Sequence, residues 1–324
     1  MTLSVLGVDV GATKVAIALV DEDFSIREKH EIPVQSNSNL WDQIAAVSTE
    51  LLKLTDGNLL GVGIGSAGPL KQSDGQVSPV NIKEWRGFPI VEKFVTLTKN
   101  TNVVLHGDAM AMVHAESRLG AGIGIPNLLG VVVSTGIGGG LILDSRLHMG
   151  ESGNSFFIGH HTIDFNGIDC TCGRKGCLEA YASGPRMVTI AKERGWKSSE
   201  NRFEALAQAA REGNALALEV IDQGAKALAV GIVNCIASLD LKTVVVGGGV
   251  AQSGEIYWEP LRRHLKNEAQ YAEFLSDLDL RPAKLQRDAG ILGAALGIFD
   301  QDVLDESVQN RPLTLEGNHA LRKV

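Results

Sequence analysis

The sequence predicts an α/β fold of two lobes, and three observations carry that prediction. A strand, a glycine-rich turn and a second strand occur together twice, over residues 3–21 and again over residues 129–144. The copies keep one offset: Leu6-Gly7-Val8 and Leu129-Gly130-Val131 are 123 residues apart, and so are Leu19-Val20-Asp21 and Ile142-Leu143-Asp144. After each copy, strand-like runs alternate with segments of helical spacing. A fixed offset marks an internal duplication; chance likeness between two apolar hairpins is the alternative.

The elements follow in order. Residues 3–10 and 14–21 are β-branched strands around Gly11-Ala12-Thr13, with a third strand near 26–34. Residues 40–54 place Ile44, Val47, Leu51 and Leu54 at helical spacing. Residues 59–64 return as a buried strand that ends in the loop Gly65-Ser66-Ala67-Gly68-Pro69. A polar excursion with Asn81 and Trp85 precedes a helix over 90–99, a strand over 103–105 with His106-Gly107-Asp108 at its end, and a helix over 110–119. In the second half, strands over 129–135 and 140–144 turn at Gly136-Ile137-Gly138-Gly139. Helices over 185–194 and 202–212 lead to a long one over 215–239, with Ile221, Leu228, Ile232, Cys235 and Leu239 on one face. A short strand over 244–246 runs into Gly247-Gly248-Gly249-Val250; a helix over 255–271, a strand over 278–285 and a small-residue helix over 289–299 complete the pattern. The expected lobes are 1–118 and 119–288, with helix 289–299 packing back on the first, and 301–324 a polar, poorly ordered tail.

Composition bounds the function. With 324 residues, 44% hydrophobic and 21% charged, the chain has enough apolar residues for a large core and is not a disordered protein. A formal charge of −8 and a pI near 5.5 argue against a nucleic-acid-binding face, whose affinity rests on neutralising phosphates. Met1 leads into a strand-like run ending in Asp9, with no cationic leader and no apolar stretch of membrane-spanning length. The expectation is a cytoplasmic protein with a small-molecule partner and neither nucleic acid nor membrane. In a reducing compartment cysteines serve metals better than disulfides, and Cys235 reads as a small core residue.

The most specific motif lies between Ile158 and Tyr181. Cys170, Cys172 and Cys177 have Cys-x-Cys-x4-Cys spacing, and His160 stands ten residues upstream. Three thiolates and one imidazole are the four ligands of a closed, tetrahedral structural zinc. His161 competes for the fourth place, and a set of reduced, buried cysteines is the plainer reading. Glu179 follows the last cysteine so closely that whatever holds the metal also places this carboxylate.

Three glycine turns each follow a strand: Asp9 to Lys14, Ser134 to Gly140, and Val246 to Val250. Glycine lets backbone N–H groups approach phosphate oxygens, and Thr13 or Thr135 adds a hydroxyl donor. The candidate nucleotide contacts are Asp9, Gly11, Thr13, Lys14, Thr135, Gly136, Gly138, Gly139, Gly247, Gly248 and Gly249, with Asp9 holding Mg2+ through water. Each turn alone is more simply a tight hairpin; together they point to a cradle.

This combination resembles the sugar kinases of the actin-like (ribonuclease H-like) ATPase fold, and within them the ROK family, over about residues 4–299. Its carriers are Asp9-x-Gly-x-Thr-Lys14, Gly65 to Pro69, Asp108, Thr135-Gly-x-Gly-Gly139, Gly159-His160, the cysteine set, Glu179 and Gly247 to Gly249. The pattern is most similar to bacterial glucokinases. The resemblance implies two ATPase lobes with an interdomain cleft and a zinc knuckle, ATP, Mg2+ and Zn2+ as cofactors, a sugar as substrate and a homodimer. It implies Asp108 as general base, and Gly65, Ser66, Asn81, Asp108, His160 and Glu179 at the sugar. Asp108 reads equally as a helix N-cap. Lobe closure is expected to hinge near 119–122 and 288–290. The family's repressors carry an N-terminal helix-turn-helix domain, for which this chain is expected to have no room.

Two positions depart from the family pattern. Gly107 replaces the usual Asn before the base, and Phe157 replaces the usual sugar-binding Glu three residues before His160. The pocket then suits a different sugar, or Asn154, Ser155 or Glu151 restores the contacts, or the chain is a non-catalytic sensor of sugar or nucleotide.

Overall fold

The computed structural model describes residues 2–34 and 39–300. Strands β1 (Ser4–Val10), β2 (Lys14–Asp21) and β3 (Ile26–Pro33) form an antiparallel meander, followed by α1 (Leu40–Leu52). β4 (Leu59–Ser66) returns parallel to β1. A ribbon of β5 (Leu70–Lys71) and β6 (Gln76–Val77), then α2 (Ile90–Thr98), lead to β7 (Val103–Gly107), parallel to β4, and α3 (Asp108–Leu119).

The second sheet repeats this plan. β8 (Leu128–Val133), β9 (Ile137–Leu143) and β10 (Arg146–Leu147) are antiparallel. Helices α4 (Glu179–Ala182), α5 (Gly184–Glu193), α6 (Phe203–Arg211) and α7 (Ala215–Leu239) precede β11 (Thr243–Gly247), parallel to β8. After α8 (Glu255–Ala269), β12 (Asp279–Pro282) lies parallel to β11, and α9 (Ala289–Phe299) follows. The strand orders, β3-β2-β1-β4-β7 and β10-β9-β8-β11-β12, correspond one to one. Sequence offset and topology therefore agree.

Some boundaries differ from the sequence expectation, β7 running on to Gly107 and α3 starting at Asp108 among them. β4 continues through Gly65 and Ser66, because both pair with β1 and β7 instead of opening a loop. β9 begins at Ile137, so Gly138 and Gly139 are strand residues and the turn narrows to Ser134-Thr135-Gly136. The strand expected over 278–285 ends at Pro282, because the Lys284 and Leu285 N–H groups donate to the Glu116 carboxylate instead of to a neighbouring strand. The tail over 301–324 lies outside the described residues.

Helices cover both faces of each sheet. α1 and α2 bury Ile44, Leu51, Ile90 and Phe94 against Leu6, Val8 and Ile17 of the first sheet, and α7 and α8 cover Leu129, Val131 and Val244 of the second. Between the sheets lie α9, on the first, and α3, on the second, packed against each other. Glycines make this sandwich thin. A Cβ on Gly63 would lie 1.8 Å from the Ala294 carbonyl oxygen of α9, and one on Gly130 would lie 2.1 Å from Val113 Cγ2 of α3.

Where the helices cross, a Cβ on Gly293 would lie 1.6 Å from the Ala111 carbonyl oxygen. In an isolated helix Gly→Ala stabilises by about 1 kcal/mol. Here the overlap reverses the sign, and Gly293→Ala is expected to destabilise by about 1–3 kcal/mol, read as a lower urea midpoint. An unchanged or higher midpoint would show that the helices are not so close. No helix among the described residues is long and apolar enough to cross a membrane.

Candidate active site

Neighbouring strand ends bring two carboxylates together. Asp9, one residue before the end of β1, pairs in register with Gly65 of β4, which pairs with His106 of β7. Asp108 opens α3 two residues on, and a Cβ on Gly65 would lie 3.7 Å from its Cα. Gly65 thus keeps the space between the two acids clear. Burial, and next the charge of Asp108, push the Asp9 carboxyl up to about 7. Burial also raises Asp108, against the pull of the Ala109 N–H that donates to its Oδ1 at 2.7 Å. Two desolvated acids facing one space are poised to take a proton and a cation.

Asp108 is the first helical residue, and Gly107 holds the cap position with extended backbone, so the N-cap reading of Asp108 is corrected. The second sheet meets the acid here: a Cβ on Gly138 would lie 2.6 Å from Ala109 Cβ. Gly138 and Gly140 therefore give α3 room to approach β9, while Gly139 faces Phe156 and Ile158, a packing role that a reading by turns alone misses.

The first glycine turn closes with the Gly11 N–H donating to the Lys14 carbonyl at 3.0 Å, and Lys14 Nζ pairs with Glu31 at 2.5 Å. Thr13 is exposed at its tip. In the second turn the Ser134 N–H donates to the Gly136 carbonyl at 2.9 Å. The third turn lies against the second. Gly248, at φ +93°, would bring a Cβ 2.4 Å from the Val133 carbonyl oxygen, and the Val250 N–H donates to that same oxygen at 3.0 Å. Gly247 still belongs to β11, while a Cβ on Gly249 would reach within 3.7 Å of Ser134 Oγ. Thr135 and Gly136 thus share one edge with Gly248 and Gly249.

Glu179 is fastened to that edge. Its Oε2 accepts the Ile137 N–H at 2.8 Å, and a Cβ on Gly136 would fall 2.7 Å from the same oxygen. His160 approaches Cys170 Sγ through Nδ1 at 3.7 Å, and the Cys172 and Cys177 sulfurs are 3.6 Å apart. One donor atom from each of the four residues lies within 4.8 Å of the other three. Zinc–sulfur bonds of about 2.3 Å at tetrahedral angles give edges of roughly 3.8 Å, which the 3.7 Å His160–Cys170 and 3.6 Å Cys172–Cys177 separations approach, so the donor set fits zinc in chemistry and in these spacings. His161 leaves the contest: its Nδ1 is 3.6 Å from Cys235 Sγ on α7.

The loop between β10 and His160 reaches across to the first sheet's side. Asn154 accepts the Leu70 N–H through Oδ1 and donates Nδ2–H to the Leu70 carbonyl, both at 2.9 Å. The Phe157 ring is nearly parallel to His160, with centroids 6.2 Å apart, and a Cβ on Gly68 would lie 3.0 Å from its Cζ. Asn154 is thereby committed to backbone, and Ser155 Oγ to the His148 carbonyl. Two of the three expected replacements for the missing glutamate are occupied elsewhere; Glu151 is exposed. Ser66 is fully buried, with Oγ donating to the Ala67 carbonyl at 3.0 Å, and Asn81 is exposed on a turn. Glu116, a buried carboxylate with no place in the sequence reading, lies on α3 beyond Asp108.

The ROK family's sequence profile matches residues 5–300. The chain belongs to the ROK family. Among curated relatives, the glucokinase of Thermotoga maritima is 33% identical over 309 residues, covering 90% of this chain and 96% of its own. The N-acetylmannosamine kinase of Citrobacter koseri is 34% identical over 296 residues, covering 91% and 98%. A ROK glucokinase from Streptomyces griseus, solved in complex with glucose and AMPPNP, superposes with a TM-score of 0.76 at 29% identity, covering 90% of this chain and 98% of that one. The α/β architecture is that of ROK sugar-kinase structures, with the actin-like ATPase fold.

Proposed function

We propose that this ROK protein is an ATP-dependent sugar kinase that transfers the γ-phosphoryl group to a hexose hydroxyl, with Asp108 as general base. The observation that carries this reading is the meeting of Asp108 and Asp9 across Gly65, beside the first glycine turn. Relatives named glucokinase and N-acetylmannosamine kinase support it, as does the glucose- and AMPPNP-bound neighbour. In the step, the sugar hydroxyl gives its proton to the Asp108 carboxylate, its oxygen bonds the γ-phosphorus, and the bond from that phosphorus to the β,γ-bridging oxygen breaks to release ADP. Magnesium, held through water by Asp9, would neutralise charge on the phosphates. Zinc on His160, Cys170, Cys172 and Cys177 would be structural and would fix Glu179 against the second turn.

The nucleotide contacts in this proposal are the first-turn Gly11, Thr13 and Lys14 and the shared edge of Thr135, Gly136, Gly248 and Gly249. The sugar is held by Asp108, Glu179, His160 and the Gly65–Ser66 backbone. Lobes 1–118 and 119–288 close over it in a homodimer, the commonest closed assembly. The deciding experiment is ADP release with magnesium-ATP across glucose, mannose, fructose, allose, N-acetylglucosamine and N-acetylmannosamine. Sugar-dependent ADP supports the kinase; silence with intact ATP binding transfers the reading to a sensor.

Phe157 and Gly107 favour a sugar other than glucose. An apolar ring stands where the pattern has a carboxylate, and neither Asn154 nor Ser155 is free to replace it. Phe157→Glu is expected to raise kcat/KM for glucose about ten- to a hundredfold, the value of a charge-assisted hydrogen bond. Measured on both proteins, an unchanged kcat/KM would mean that the pocket differs from a glucokinase elsewhere.

A further inference from the structure

Among the described residues the chain passes from the first sheet to the second through α3 and the residues 120–127 that lead to β8, and returns from β12 to α9 through residues 283–288. One side chain touches both crossings. Glu116 is fully buried near the end of α3. Its Oε2 accepts the Ala121 N–H at 2.8 Å from the first crossing and the Lys284 N–H at 3.0 Å from the second. Its Oε1 accepts the Leu285 N–H at 2.7 Å. The Glu116 carbonyl takes the Gly120 and Gly122 N–H groups at 3.1 and 2.8 Å. Among the described residues no cation pairs with this carboxylate; its charge is met by backbone amides from two segments far apart in sequence.

A buried carboxylate is a costly way to join two loops, so its placement asks for a reason. Each crossing leads to one of the paired acids. The first leaves the helix that Asp108 begins, and Glu116 lies eight residues further along it, about 12 Å at 1.5 Å per residue. The second enters α9, where a Cβ on Gly290 would lie 2.3 Å from Asp9 Oδ2. The strand that leads into the second crossing also holds the first: Arg281 Nη1 of β12 donates to the Ala121 carbonyl at 2.8 Å. Room for the carboxylate is built in, since a Cβ on Gly120 would lie 2.1 Å from Glu116 Oε2.

We propose that Glu116 is a positioning residue that fastens both interlobe crossings to α3 and so sets Asp108 against Asp9 for phosphoryl transfer. The inference rests on the kinase reading above. Carboxylate oxygens accept and never donate when ionised, which is why three N–H groups can converge on them. In Glu116→Gln the amide NH2 faces at least one of these donors. Either that amide is left unpaired or the segment withdraws.

The test joins steady-state kinetics to hydrogen exchange on the full chain. Glu116→Gln is expected to lower kcat about ten- to a hundredfold, the cost of roughly 1 Å of misplacement at the reacting groups, while the sugar KM changes less than about threefold. Exchange at Ala121, Lys284 and Leu285 is expected to accelerate together. A variant with wild-type kcat, or one whose kcat falls only in proportion to its unfolded fraction, overturns the proposal. If the variant does not fold, the wild type still decides. The same three amides must be as protected as those of α3, and exchange there at the rate of exposed loops overturns the proposal. Should the wild type phosphorylate no sugar, the kinase reading fails on its own assay, while the exchange data still report whether Glu116 holds the crossings.

Discussion

Replacing Asp108 by Asn is expected to lower kcat by about 10²- to 10⁴-fold, the contribution of a positioned general base, with sugar and ATP affinity changed far less. The substitution keeps size and the acceptor for the Ala109 N–H but removes the carboxylate proposed to receive the sugar's proton. Burial raises the Asp108 pKa above its ordinary 3.8. A base works only when deprotonated, so wild-type activity should fall as pH drops through this raised value. The acid limb of kcat/KM is then expected above the usual aspartate range and absent from the residual rate of the variant. Full turnover by Asp108→Asn would remove the residue from the chemistry.

Stripping the metal, or breaking its ligand set with Cys172→Ser, should have the second-largest effect. Cys172 is exposed, so its exchange for Ser sacrifices almost no packing. Cys177, two residues before Glu179, is fully buried, and Glu179 holds the second glycine turn through Ile137. Loss of the proposed zinc is therefore expected to loosen one continuous run from knuckle to turn. Sugar affinity is expected to fall about tenfold or more, as for a charged hydrogen bond lost, and nucleotide affinity to fall less. Calorimetric titration of both ligands, with zinc content measured in parallel, gives the comparison. Metal-free protein that binds both ligands like the wild type would separate the knuckle from the site.

Local pattern carried far in this chain. Period and turn chemistry placed the hairpins, α1, α7 and α9 within a few residues: α1 and α7 by their helical spacing, the hairpins by β-branched runs around glycine turns, and α9, buried nearly all round, by its run of small and apolar residues. Ligand chemistry placed His160 with the three cysteines. Sequence spacing favoured His160 but left His161 as a competitor, because what removes His161 is Cys235, 74 residues away and met only in the folded chain. Gly138 and Gly139 were read as turn residues because glycine has two uses, reversing the chain and admitting a neighbour, and only the positions of α3 beside Gly138 and of Phe156 and Ile158 beside Gly139 separate them. Glu116 was illegible for the same reason. A single Glu in a helix is ordinary, and its partners at 121, 284 and 285 are set by the path of the chain between the sheets.

The crossing of α3 and α9 also has a consequence in time. α9, which covers Val5, Ala18 and Val20 of the first sheet, is the last helix of the described chain to be synthesised. At roughly 5–20 residues per second, many seconds separate the emergence of β1 from that of the helix that shields it. During that interval the first sheet has one bare apolar face, and α3 lacks the partner it crosses at Gly293. Completion of the amino-terminal half therefore waits on the carboxyl-terminal end, and the nascent chain passes through an aggregation-prone stage in which chaperone protection would matter most.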